Sequence, residues 1–181
     1  GNVIEAKGGV GLWVHNSPDA RVFGNTFGRG QIRALACDRS RVNIEANALM
    51  GDWPNGISVD KACAADIRRN LFYSNKVSIN ISSLAGRVRV ERNSFIRTDA
   101  AIKTSGANVQ LGDNLFYECA FALNSSATMT PQRIGRNAVW KSKILAAGKT
   151  LPTLDIVRTE PRFVSAENYD FRLQTGQAQL S

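Results

Sequence analysis

The sequence predicts an all-β chain folded as a parallel β-helix. An asparagine recurs every 21 to 23 residues, apolar residues stand at fixed offsets from it, and no segment carries a helical apolar period. The asparagines are Asn2, Asn25, Asn47, Asn70, Asn93, Asn114 and Asn137, spaced by 23, 22, 23, 23, 21 and 23 residues. Two positions after them stand Ile4, Phe27, Leu49, Phe72, Phe95, Phe116 and Val139, all apolar. A unit of this length cannot bury a core alone, so the units must stack, each strand bonding to its counterpart in the next.

Within a unit, the first strand precedes the asparagine. Val22, Ile44, Ile67, Val90, Leu111 and Ile134 lie three positions before it, and Ala20, Val42, Ala65, Val88 and Val109 five before, with Gln132 breaking the pattern. That period of two belongs to a strand with one face buried. The asparagine falls at a bend, where its side chain can cap backbone groups, tolerate a left-handed conformation and bond the asparagine of the next unit. A second alternating run follows: Leu12 and Val14, Ile32 and Ala34, Ile57 and Val59, Val77, Ile79 and Ile81, and Phe121 and Leu123. Each unit therefore holds at least two short strands, and seven units stacked at about 4.8 Å give a column of roughly 30 Å. A leucine-rich repeat shares the unit length, but its L-x-x-L-x-L pattern is absent. In the third unit, Gly51-Asp52-Trp53-Pro54-Asn55-Gly56 is a turn-rich bulge whose Trp53 is either a lid on local core or an exposed platform.

The phrases Gly24-Asn25-Thr26-Phe27, Arg69-Asn70-Leu71-Phe72, Arg92-Asn93-Ser94-Phe95 and Asp113-Asn114-Leu115-Phe116 resemble the coils of right-handed β-helix proteins of the pectin lyase-like superfamily, across about residues 1 to 140. Glu160-Pro161-Arg162-Phe163-Val164 and Asn168-Tyr169-Asp170-Phe171-Arg172-Leu173 resemble the D-P-x-F-V…G-D-F-x-L segment that follows the last coils in bacterial members, with departures at Glu160, Tyr169 and Gln177-Ala178. The expected organisation is about seven right-handed coils over 1–140 and a non-repetitive closure over 141–181, whose Phe163, Phe171 and Leu173 close the bottom of the column. Because Asn2-Val3-Ile4 already belongs to the ladder, further coils or another chain are expected to cover the first coil.

Composition narrows the function. Hydrophobic residues at 43% and charged residues at 21% exclude a disordered chain. No run of apolar residues is long enough for a membrane-inserted helix, and the first residues are not a signal peptide. The net charge of +8 favours a polyanion. Nucleic acid is disfavoured by the lack of any helix, ribbon or RNA-binding signature, and Gly8-Gly9-Val10-Gly11 lacks the lysine and helix of a phosphate loop. No cofactor is expected. Cys37, Cys63 and Cys119 lack metal-ligand spacing; they are either small buried hydrophobes or, for Cys37 and Cys63, a bridge between stacked units.

In a solenoid the inward side chains build the core, so function must use outward positions. Arginine outnumbers lysine 16 to 7, and Arg21, Arg68, Arg69, Arg89, Arg92, Arg133 and Arg136 all lie within four residues before a ladder asparagine. Arginine's planar fork suits sugar carboxylates, although Glu45, Arg68 and Glu91 also alternate in sign as a salt-bridge ladder would. The resemblance to uronate lyases implies arginines that neutralise a sugar carboxylate and a basic side chain that removes the adjacent proton; Lys103, Arg89 and His15 are the candidates. Trp13 beside His15 forms an outward sugar-stacking site, with Asp60 and Lys103 on roughly the same column. The expected substrate-binding set is Trp13, Asp60, Arg68 and Arg133. Carboxylates interleaved with arginines argue against a metal site. The expected function is binding, with lyase-type cleavage as a further step, of an acidic polysaccharide outside the cytoplasm: extracellular, at the cell surface or in the periplasm. The alternative is a non-catalytic structural or adhesive solenoid.

Overall fold

Each unit contributes three strands to a parallel solenoid of about six turns, one fewer than the seven coils predicted. The computed structural model describes residues 1–105, 108–127, 136–146, 149–150, 160–168 and 170–174. Sheet C holds the strands before the ladder asparagines: Ala20–Phe23, Arg41–Glu45, Ala64–Arg68, Val88–Glu91 and Val109–Gly112. Sheet A holds those after them, running from Val3–Ala6 to Asn137–Trp140. Sheet B holds the second alternating runs, from Val10–His15 to Lys143–Ala146, so the repeat continues past residue 140.

Sheet A is the strand that the sequence pattern did not separate. Its members are as short as three residues, and one inward residue each cannot display a period of two. Those inward residues form a column in which Phe72, Phe95 and Phe116 stack with centroids 4.8 and 5.0 Å apart and ring planes within 8°. The spacing equals that of adjacent strands, so coil pairing and ring stacking reinforce one another.

The asparagine column is a continuous hydrogen-bond ladder at the corner between sheets C and A. Asn93 Nδ2 donates to the Ile67 carbonyl at 2.9 Å, the Glu91 carbonyl at 3.0 Å and Asn114 Oδ1 at 3.1 Å. Asn93 Oδ1 accepts from the Asn70 backbone N–H at 2.9 Å. Asn47, Asn70 and Asn114 repeat the arrangement and are buried. The left-handed conformation belongs to the preceding residue, Gly24, Ala46, Arg69, Arg92 or Asp113, with φ between 53° and 67°. The chain turns there while the asparagine satisfies the backbone groups the turn would orphan.

One expectation is corrected in sheet B. The inward pair of its second strand is Leu35 and Cys37, since Leu12 aligns with Leu35 and Val14 with Cys37. Ile32 is exposed, and Ala34 is buried at the corner where the strand begins. A slip of one residue reverses every face, and Ile32-x-Ala34 mimics the period without belonging to it. Trp53 is a lid: its indole is fully buried and occupies the space above Gly30, where an added Cβ would overlap it.

Cys37 and Cys63 form a disulfide with Cα atoms 6.0 Å apart, joining a sheet B strand to the turn of the next coil. Cys119 is buried and free. The bridge closes a loop of 26 residues, for which chain entropy gives about 3.5 kcal/mol. Denaturant unfolding of Cys37→Ser/Cys63→Ser is expected to show that loss; an unchanged midpoint would mean that the bridge contributes nothing net.

Phe163, Phe171 and Leu173 do not close the end of the column. The antiparallel pair Phe163–Ser165 and Asp170–Leu173 lies against the outer face of sheet A. Phe171 stacks on Tyr73 at 5.1 Å and Phe163 meets Tyr117 edge-on at 5.0 Å. The Tyr117 hydroxyl donates to Glu160 at 2.9 Å, and burial, then that hydrogen bond, push its pKa up to about 12. The outward residues Ile96, Leu115 and Tyr117 form an apolar patch on this flank, which the strand pair buries.

Candidate functional site

The outer face of sheet B carries the candidate site. Its pairing register builds one outward column of Trp13, Ala36, Ser58, Asn80, Lys103 and Asn124. Beside it, His15 aligns with Asp38, and Asp60 follows on the next strand. Trp13 is 63% exposed although it lies in a strand, because its neighbours Leu12 and Val14 take the inward positions.

Asp38 organises this end of the face. Its Oδ1 accepts from Trp13 Nε1 at 3.1 Å and lies 2.7 Å from His15 Nδ1, while the Asn16 amide nitrogen lies 2.8 Å from His15 Nε2. The arrangement assigns the neutral imidazole its proton on Nδ1, donated to Asp38, with Nε2 accepting from Asn16. The indole and imidazole are thereby fixed 5.4 Å apart at 48°. The hydrogen bond from His15 holds the Asp38 carboxyl below its usual pKa against the opposing effect of burial, helped by the charge of the imidazole in its protonated form, the Trp13 hydrogen bond and the charge of Lys61. A depressed carboxylate favours the folded state above its unfolded pKa and loses that contribution as pH falls through the folded value. Acidification below about pH 4 is therefore expected to release Trp13, readable as a change in indole fluorescence absent from Asp38→Asn.

Arg33 and Asp60 make an ion pair of 3.3 Å on the same face, and exposed Arg39 and Lys61 occupy the adjoining corner. Trp13 and His15 are thus brought together with Asp38, which the sequence reading missed, while Asp60, paired with Arg33, follows one coil further on. The signal for Asp38 was available: 23 residues separate His15 from Asp38, one repeat length. Lys103 shares the column of Trp13 but lies four strands away, about 19 Å.

Arg68 and Arg89 lie on sheet C, away from this face. Arg68 lies 3.4 Å from Glu45, which also pairs with Arg69 at 2.9 Å and Arg21 at 3.8 Å. Burial of Glu45 favours its neutral form, but the hydrogen bond from Arg69 and the three guanidinium charges outweigh it and hold the pKa below the usual value. Arg89 pairs with Glu91 on its own strand at 3.3 Å. Arg133 lies outside the described residues. Lys103, Arg89 and His15 are consequently spread over two faces and do not assemble around one sugar.

A family model described as "Periplasmic copper-binding protein (NosD)" matches residues 1–150. The chain belongs to the NosD family. NosD proteins are right-handed β-helices of the pectin lyase-like superfamily, so membership agrees with the fold and with the expected location outside the cytoplasm. The Cys37–Cys63 bridge suits an oxidising compartment. No helix of the described residues is long and apolar enough to cross a membrane. Neither a curated protein nor a solved structure matches the chain.

The copper in the family's description can be tested against the donors of this NosD chain. Copper takes imidazole, thiolate or thioether ligands. His15 is the sole histidine, with hydrogen-bond partners at both ring nitrogens. Cys37 and Cys63 are bonded to each other, and Cys119 is buried. Among the described residues, no three His, Cys, Asp or Glu side chains converge. Met50 lies on sheet A and Met129 lies outside the described residues, so among the described residues the donors do not fit a resident copper centre.

Proposed function

We propose that this NosD-family solenoid binds an acidic polysaccharide on the outer face of sheet B, with Trp13 as the stacking platform. The observation that carries the proposal is a tryptophan 63% exposed yet fixed through its indole nitrogen to Asp38. A large aromatic face held in one orientation binds a sugar ring at little entropic cost. Asp38, Asp60 and His15 supply hydrogen-bonding groups for hydroxyls, while Arg39 and Lys61 supply the positive rim a sugar carboxylate requires.

Binding without cleavage is the form of this proposal, because the proton-abstracting and charge-neutralising side chains are separated. Oligogalacturonate is expected to quench indole fluorescence, since Trp53 is buried and Trp140 half-buried. Neutral dextran is expected to quench weakly. Trp13→Ala should lower affinity at least about tenfold, the loss of roughly 1.4 kcal/mol. Equal affinity in that variant would remove the site from this face. Ultraviolet absorbance of the same mixtures should stay flat; a rise would report unsaturated uronate ends and establish a lyase. No binding of any acidic glycan would favour a structural solenoid.

A further inference from the structure

We propose that the groove between the asparagine-ladder corner and the C-terminal strand pair docks an extended, acidic and partly apolar polypeptide segment of a partner protein. The groove has a volume of about 860 Å³. It is separate from the sheet B face and independent of the sugar-binding proposal.

One rim is made by Arg69, Arg92 and Arg136, each the residue before a ladder asparagine and the first two in the left-handed conformation, and the opposite wall carries Arg172. Their side chains are 59%, 62%, 82% and 80% exposed. The left-handed turn takes Arg69 and Arg92 off the strand at the corner, from which Arg69 still reaches Glu45 of sheet C at 2.9 Å. The local charge is unbalanced. Glu45 is shared by Arg21, Arg68 and Arg69; Asp113 serves Arg92 at 4.0 Å and Arg136 at 3.3 Å; Asp170 serves Arg172. Within the groove lining, four guanidinium groups, Arg69, Arg92, Arg136 and Arg172, face two carboxylates, Asp113 and Asp170, a surplus that an anionic partner would neutralise.

The floor distinguishes a peptide from a glycan. It is aliphatic, made by Leu71, Leu115 and Leu173, with buried Phe171 beneath. Sugars stack on exposed aromatic faces, whereas leucine side chains at a groove floor complement apolar amino acids. The wall strand Asp170–Leu173 is paired on one side only among the described residues, with Phe163–Ser165. An added strand could use its other edge. Arg69 and Arg136 stand three coils apart, about 14 Å, the reach of roughly four residues of extended chain. Alternation would then place acidic side chains towards the arginines and apolar ones towards the floor.

The experiment is fluorescence anisotropy of a labelled peptide of alternating glutamate and leucine, with a lysine–leucine peptide as charge control. The acidic peptide is expected to bind and to weaken with salt. Arg92→Gln/Arg136→Gln should weaken it about tenfold or more, and Trp13→Ala should leave it unchanged. Thermal unfolding of the double variant should match the parent, since both side chains are exposed. Failure of the acidic peptide to bind, equal binding of the lysine peptide, or a variant of parental affinity would overturn the proposal. So would displacement by oligogalacturonate that is itself sensitive to the arginine substitutions, because the groove would then be a glycan site. Loss of glycan binding in Trp13→Ala with peptide binding intact would separate this proposal from the preceding one.

Discussion

Asn93→Ala is expected to destabilise the chain by about 4 kcal/mol, measured as the shift in a denaturant unfolding curve. The side chain is 1% exposed and sits in mid-ladder. Its removal deprives the Ile67 and Glu91 carbonyls of a donor and the Asn70 backbone N–H of its acceptor. Each buried group left without a partner costs about 1–3 kcal/mol, and alanine supplies no polar group to replace the lost ones. Asn93→Asp tests the same point differently, since a carboxylate keeps the acceptor, loses the three donations and buries a charge. The control is Asn2→Ala. Asn2 is exposed, and among the described residues its side-chain amide donates to Asn25 alone, so its loss should cost less than about 1 kcal/mol. Equal losses at the two positions would mean that the ladder is not what closes the corner.

The second large effect is expected at Phe95, where alanine should cost about 4 kcal/mol and leucine about half that. Phe95 is fully buried between Phe72 and Phe116, so truncation opens a cavity at the centre of the stack and breaks both ring contacts. Leucine restores much of the volume but neither stack, separating the transfer and aromatic contributions. In a solenoid each coil is held by its two neighbours, so a mid-column fault weakens both interfaces. A leucine variant as unstable as alanine would assign the whole effect to ring stacking; a leucine variant as stable as the parent would show that stacking contributes nothing beyond volume.

The regularity that made the coils legible is also what hid the site. Asn25, Asn47 and their successors repeat because every coil must turn at the same place and satisfy the same backbone groups. Trp13, His15 and Asp38 do not repeat, and no periodicity marks them. Trp13 and His15 could be placed outward from the inward Leu12 and Val14. Asp38 required carrying the 23-residue period across the coil, and Lys103 required exact register through four strands. Adding turns of unequal length to that period left the column of Lys103 approximate, while Arg89 and Arg68 stand on sheet C, the strand before the asparagine where the pattern put them.

Sequence alone determined the all-β solenoid, the position of the asparagine corner and the inward residues of sheet C, because each is a local preference repeated in every coil and summed over the stack. Tertiary structure alone decided which residue takes the left-handed conformation, that Cys37 meets Cys63, that Phe163 and Phe171 cover a flank of the column, and which arginines share Glu45 and Asp113. Those outcomes depend on distances between coils and on the reach of particular side chains. A period fixes that two residues are neighbours in the stack; only the folded backbone fixes whether their side chains can touch.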